Sequence, residues 1–388
     1  MEIEKLKLKA KDAVELQRQQ LIQLSLKIHD NPELGFEEKK ASAWLTGYLE
    51  DNEFHVERGI AGVATAFQAT YGQGGPRIAL LAEYDALPKM GHGCGHNIIA
   101  ASAVGAAVGS KPIIDRLGGS IVALGTPAEE NFGGKINMVQ AGVFNAIDTA
   151  MMVHPGVKNL ITELALACTG VEVEFFGKPA HASAEPHKGI NALEAMILAF
   201  NSINSLRQHI KEEARIHGII TDGGEAPNIV PAHSAAEFYV RAPDNEYLDE
   251  LKSKVSNCLI GASTASGARL ECRWDDTAFD SMKNNETLVE LFKQNLESLG
   301  RNVVAFKPEF GLGSTDMGNV SQVVPSIHPT IAIASPDVLG HTPEFAAAAA
   351  SEAGHEGLMD AAKALAMTVV DIFQPGMLDK IRQEFCRG

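Results

Sequence analysis

The sequence predicts an α/β protein with a mostly parallel central sheet flanked by helices, and a smaller α+β domain inserted into it. Two observations predict this. From Arg77 onward, short apolar runs end in polar or Gly-rich residues: RIALLAEYDALP, SIVALGTPAEEN, TAMMVHPG and later TIAIAS, with an Ala-rich helix from Ile98 to Val108 between the first two. Buried strands of a parallel sheet read this way. Between about Val171 and Asp275 the rhythm changes to an alternating strand (Val171, Val173, Phe175), a helix near 191–206, strands near 216–221 and 235–241, a helix near 247–262 and a strand at 270–274. That βαββαβ order describes a small open antiparallel sheet carrying two helices.

The remaining elements follow in order. Leu21, Leu24, Leu26 and Ile28 recur at helical spacing, Asn31 and Pro32 interrupt it, and Glu37 to Leu49 resumes it. No chemistry is expected of either stretch. After about Ser281 the α/β texture returns and ends in a helix from Glu352 to Phe373, while Ala346 to Ala350 reads as loop or helix start.

Composition excludes several functions. In 388 residues, 33 Lys+Arg against 49 Asp+Glu give 33 − 49 = −16, with no Lys/Arg cluster, so nucleic acid and anionic membrane surfaces are not expected partners. The five cysteines, Cys94, Cys168, Cys258, Cys272 and Cys386, are odd in number and irregularly spaced, which suits a reducing compartment better than a disulfide framework. The N-terminal MEIEKLKLKAKDAVELQRQQ alternates charged and apolar residues, unlike a signal peptide, and no apolar run is read as approaching the roughly 20 residues that span a bilayer. A cytoplasmic protein is expected.

In open α/β sheets a ligand site lies beyond the carboxyl ends of the strands. There this chain places Cys94 and His96 in GHGCGHN, Glu129 and Glu130 in TPAEEN, His154 in MVHPG and His341 in LGHTPEF. Thiolate, imidazole and carboxylate together suit zinc and neighbouring divalent transition metals, whereas calcium or magnesium calls for oxygen ligands alone. Five ligands exceed what one catalytic zinc with an open position takes. They fit two metals about 3.5–4 Å apart, clamping a hydrolytic water and the oxygen it attacks. Of the adjacent glutamates, one binds metal and the other serves as base. Singly, a Cys or His in a strand–helix turn packs or caps, and a Glu-Glu pair is solvated surface; the assembly at strand ends favours a metal site.

In this order, EYDALP, HGCGH, PAEE, the isolated His154, GKPAHAS, GGEAPNIVP and GHTPEF resemble the aminoacylase and carboxypeptidase relatives in metallopeptidase family 20. The branch resembled is that of auxin-conjugate hydrolases, hippurate hydrolases and the p-aminobenzoyl-glutamate hydrolase B subunit. GLGSTDMGNVSQVVPSIHP at Gly311 to Pro329 is most similar to the aminoacylase-1-like 2 group, which includes dipeptidases acting on β-alanyl and related dipeptides. The resemblance implies a discontinuous catalytic domain, residues 1–168 and 282–388, with a lid and dimerisation domain at 169–281. It implies two divalent ions per subunit, zinc or manganese with cobalt possible, held by Cys94 as bridge and by His96, Glu130, His154 and His341. Glu129 then matches the general base, Asp85 stands behind the site, and Glu83 occupies a position where other branches have a ligand His. His181 matches a lid histidine that stabilises the oxyanion, often from the other subunit of a dimer, and Asn228 and Arg241 match substrate-contacting positions. Asn97 departs from the CGHD of many members.

The expected activity is hydrolysis of the amide or peptide bond of a small N-acyl amino acid or dipeptide by a homodimer. The alternatives are a non-catalytic relative kept for binding or assembly, and an amidase or decarboxylase of the same fold. A non-catalytic chain would normally have lost a ligand or the base, and this one has lost neither. Ser314, Asp316 and His328 are placed either along the pocket or in structural roles.

Overall fold

Three helices, Glu2–Glu15, Arg18–His29 and Lys39–Asp51, lead into two strands, β1 (His55–Arg58) and β2 (Phe67–Gln73). Next come β3 (Arg77–Ala82), β4 (Gly119–Gly125), β5 (Thr149–Met151), β6 (His154–Gly156) and β7 (Asn159–Leu160). Then β8 (Ala167–Phe176), β9 (Arg215–Asp222), β10 (His233–Ala242) and β11 (Arg269–Trp274) form a separate sheet, and β12 (Val303–Val304), β13 (Ser326–Ile327) and β14 (Thr330–Ala332) return to the first body. The computed structural model describes residues 2–162, 164–307 and 313–387; the start of the Gly311–Pro329 tract therefore lies outside the described residues. By contacts the chain divides into Met1–Leu164 with Met282–Gly388, and Ala165–Ser281.

The larger unit has a six-stranded sheet in the order β1-β2-β4-β3-β5-β13. β3 pairs parallel with β4 and β5, and β13 parallel with β5, whereas β1 and β2 run antiparallel at one edge. The sheet is thus mixed. The edge pair escaped the sequence reading because β1 exposes most of its residues and β2 alternates polar with apolar ones, so neither forms an apolar run. TAMMVHPG divides into two strands, with β6 leaving the main sheet to pair parallel with β14.

The helix His96–Gly109 is buried at every position. Its core also takes Leu21 and Ile28 from the entry helices and Leu358, Leu365 and Val369 from the helix Glu352–Ile372. One helical stretch, His96–Leu117, is long and apolar enough to cross a membrane by length and composition, contrary to the sequence reading. Of its most apolar 18-residue window, 89% is buried inside the protein, so that apolar surface is already covered.

In the inserted unit all neighbours in the order β11-β8-β10-β9 are antiparallel. Val171, Val173 and Phe175 of β8 alternate inward, as do Ala236, Phe238 and Val240 of β10, to meet the helices Ala192–Leu206 and Asn245–Ser266 in a core of their own. Both helices begin at capped positions. The Asn191 side chain accepts from Glu194 N–H and that of Asp244 from Tyr247 N–H, satisfying amides that a helix start leaves bare.

Candidate metal centre

Cys94 and His96 stand at the start of a buried helix, and Gly95 between them takes φ +74°. A Cβ at Gly95 would lie 2.6 Å from Pro155 Cγ. Glycine therefore lets this turn press against the residue that follows His154. The His96 Nδ1 is 3.0 Å from Asp85 Oδ1, and the His154 Nδ1 is 2.6 Å from the Pro155 carbonyl. Both partners accept only, so each Nδ1 carries a proton and each ring turns Nε2 toward a common space, as metal-binding histidines do. Burial disfavours a charged His96, but Glu83 and Asp85 outweigh it and hold the ring's pKa well above its usual value. Positive charge is what this space favours.

The turn after β4 supplies the carboxylates. Thr126 donates through both N–H and Oγ1 to the Ala82 carbonyl, at 2.7 and 3.1 Å. Ala128 then adopts φ 61°, ψ 45°, reversing the chain so that Glu129 and Glu130 open a short helix. Gly134 closes the turn by donating to the Ala128 carbonyl, and a Cβ there would sit 1.8 Å from the Pro127 oxygen. Glu130 N–H donates to Asp85 Oδ2 at 3.0 Å. One carboxylate thus orients both His96 and Glu130. His341, at φ 58°, donates its N–H to the Gly93 carbonyl at 3.0 Å, which ties its loop to the Cys94 loop.

Ligand atoms of Cys94, His96 and His154 lie within 4.8 Å of one another, as do those of Cys94, Glu130 and His341. Cys94 belongs to both of these groups, and a third group holds Glu83, His96 and Glu129. Glu130 Oε1 is buried with no hydrogen-bond partner, and His96 Nε2 faces Glu83 Oε1 at 3.1 Å without a hydrogen bond, an arrangement that a bound cation relieves. Burial pushes the Cys94 thiol up to about 12, with His96 opposing; a cation reverses that direction and takes the thiolate. Donor set, spacing and orphaned atoms all fit a pair of divalent metals.

Behind the centre lies an ion cluster that the sequence reading did not find. The Lys135 ammonium is fully buried between Glu83 and Asp316, 2.7 Å from Asp316 Oδ1, and its N–H donates to Asp316 Oδ2 at 2.9 Å. Burial, then Glu83 and Asp316, raise the Glu129 carboxyl well above the usual range, against the pull of His96 and Lys135. A lysine in GGK at a helix start reads as surface, and only the fold shows otherwise. Lys135→Met is expected to lower stability by about 3–5 kcal/mol in denaturant titration, because it leaves two buried carboxylates uncompensated.

Comparison with known proteins places this arrangement. The chain is 38% identical to the Xaa-Arg dipeptidase of Mus musculus, over 99% of this chain and 93% of that protein. It is 31% identical to the B subunit of p-aminobenzoyl-glutamate hydrolase from Escherichia coli (strain K12), over 96% and 93%. The chain belongs to metallopeptidase family 20. Its reaction class is metal-dependent hydrolysis of an amide or peptide bond. The family's peptidase dimerisation domain matches residues 168–261. A crystallised dinuclear metal-binding family-20 peptidase of Bacillus subtilis shares the fold with TM-score 0.74 at 20% identity, covering 93% of this chain and 99% of its own.

Two family features look different in the structure than in the sequence. The Asn97 amide donates to Ser25 Oγ at 2.9 Å and to the Ala349 carbonyl at 3.3 Å, tying its helix to two others. Within the inserted unit, the His181 and Asn228 loops run side by side: His181 bridges to Ile229 and Ala182 N–H donates to the Asn228 carbonyl. The His181 Nδ1 accepts from the N–H groups of Ser183 and Ala184, which leaves Nε2 as the ring's donor. Arg241 is not brought near them. It pairs with Cys168 and Arg215 toward the far end of β10 from His233, roughly 27 Å along the strand at 3.4 Å per residue.

Proposed function

We propose that this chain is a dinuclear dipeptidase or aminoacylase whose preferred substrates are dipeptides with a basic C-terminal residue. The observation that carries the site assignment is the sharing of Cys94 between two ligand groups, with Glu129 grouped with His96 and Glu83 in a third. In this reading Cys94 would be shared between the two ions, His96 and His154 would hold one, and Glu130 and His341 the other. When bound, two divalent cations supply a Lewis acid for the amide carbonyl and lower the pKa of the attacking water. Zinc or manganese suits the donors, and cobalt would substitute. Glu129 takes the proton from the water as it attacks and passes it to the leaving nitrogen. Asp85 keeps His96 and Glu130 aimed, and the His181 Nε2–H donates to the oxyanion of the tetrahedral adduct. Asn228, beside His181, and Arg241 are assigned to the substrate. The odd number and irregular spacing of the five cysteines support a reducing, cytoplasmic setting.

The basic C-terminal residue is suggested by the similarity to Xaa-Arg dipeptidases along nearly the whole chain. Its test is a panel of dipeptides ending in Arg, Lys, Leu and Glu, p-aminobenzoyl-glutamate and N-acetyl amino acids, each with enzyme loaded separately with zinc, manganese and cobalt. Dipeptides ending in Arg or Lys are expected to lead in kcat/KM by at least roughly tenfold, the scale of one charged pocket contact. Preference for p-aminobenzoyl-glutamate would overturn the substrate assignment.

The same reading includes a homodimer. β9 lies at an edge of its sheet and exposes Ile219 and Ile220 to 64% and 42%, whereas the opposite edge strand, β11, exposes Arg269, Glu271 and Arg273. Charged edges resist strand pairing and apolar ones invite it. Ile219→Lys is expected to shift the protein from dimer to monomer in light scattering with its helix content unchanged. A wild-type protein that is strictly monomeric would remove the in-trans role of His181.

A further inference from the structure

Glu38 directly precedes the helix Lys39–Asp51, where a carboxylate ordinarily caps bare amides. Here Glu33 does that, its Oε2 accepting from the N–H groups of Lys40 and Ala41 at 2.8 and 3.0 Å. The Glu38 side chain turns inward and is fully buried. Its Oε1 accepts from Ala128 N–H at 2.9 Å, and its Oε2 accepts from the Thr65 hydroxyl at 2.9 Å. Thr65 is held in turn by Tyr84, whose hydroxyl donates to the Thr65 carbonyl at 2.6 Å.

Ala128 is the residue that reverses the chain before Glu129, in a left-handed conformation that costs a non-glycine residue about 1–2 kcal/mol. Something must hold it there. Glu38 grips the turn through the N–H of residue 128 and Asp85 through the N–H of residue 130, so the pair of glutamates hangs between two carboxylates from different parts of the chain. Burial pushes the Glu38 carboxyl up to about 7, a cost that a neutral acceptor would avoid.

We infer that Glu38 is a positioning residue of the hydrolytic site, setting through Ala128 the directions in which Glu129 and Glu130 point. The inference rests on the roles proposed above for those two residues. The test compares Glu38→Ala, Glu38→Gln and Thr65→Val with wild type by steady-state kinetics on the best dipeptide and by calorimetric titration with zinc. Glu38→Ala is expected to lower kcat roughly 10–100-fold, leave KM within about threefold and loosen the weaker zinc-binding step roughly tenfold, as displaced supporting groups do. Glu38→Gln keeps an acceptor for Ala128 and should stay within about threefold of wild type in each quantity. Wild-type zinc affinity and kcat in Glu38→Ala, or equal losses in the Ala and Gln variants, would overturn the inference. Should Glu38→Ala not fold, Thr65→Val removes one donor alone and is expected to lower kcat roughly threefold to tenfold; no change would overturn it equally. A wild-type protein inert toward every substrate would sink the functional reading, while the zinc titrations would still decide the role of Glu38.

Discussion

Glu129→Gln is expected to lower kcat by about 10²–10⁴-fold, the usual contribution of a general base, while metal content measured by elemental analysis stays at the wild-type level. The two halves of this result are argued from different atoms. Glu130 Oε1 is a buried orphan, grouped with Cys94 and His341, and its N–H is fixed by Asp85. Glu129 has another setting: burial, then Glu83 and Asp316, raise its proton affinity against the opposing charges of His96 and Lys135. A carboxylate with raised proton affinity accepts a proton from water more readily. An isosteric amide keeps the volume and loses that capacity. Loss of metal with the same substitution would show that the roles of the two glutamates are exchanged.

Cys94→Ala is expected to weaken both metals together, by roughly 100-fold or more in affinity, since a first-sphere donor matters at least as much as the groups behind it. Sharing makes this loss unlike the others. His154→Ala takes a donor from one group and His341→Ala from the other, so each should leave one binding step near its wild-type value. Calorimetric titration distinguishes the cases, and cobalt-loaded protein offers a second readout, because the sulfur-to-metal charge-transfer band should vanish only in the Cys94 variant. Two intact binding steps in Cys94→Ala would refute the bridge.

Much of this architecture was legible from residues alone. The inserted unit could be read strand by strand because β8 and β10 put apolar residues on one face only, so their period of two is undisguised. The candidate metal ligands were legible because Cys94, His96, His154 and His341 are chemically rare residues placed after apolar runs. The structure gathers these four and Glu130 into two groups joined by Cys94. What stayed hidden depends on burial of groups that usually face water. Lys135 and Glu38 are ordinary surface residues by type, and nothing in GGK or FEEK announces that both are enclosed. The contacts of the N-terminal segment were hidden for the same reason: Glu33 and Glu38 are a turn and a helix start by pattern, yet one caps and the other reaches the turn before Glu129. Motif order carries the proposal of Arg241 as a substrate contact, and the length of strand between it and the His181 loop is legible only in the fold.

The shared core of the first and last long helices has a consequence for how the enzyme is made. Glu2–Glu15 and Glu352–Ile372 pack against one another and against the buried helix His96–Gly109. During synthesis the inserted unit, continuous in sequence and with its own core, can close while the larger body still lacks its last partner. His341 also emerges late. Of the two candidate groups joined by Cys94, the one with His96 and His154 is therefore complete in the chain before the inserted unit, and the one with Glu130 and His341 only after it.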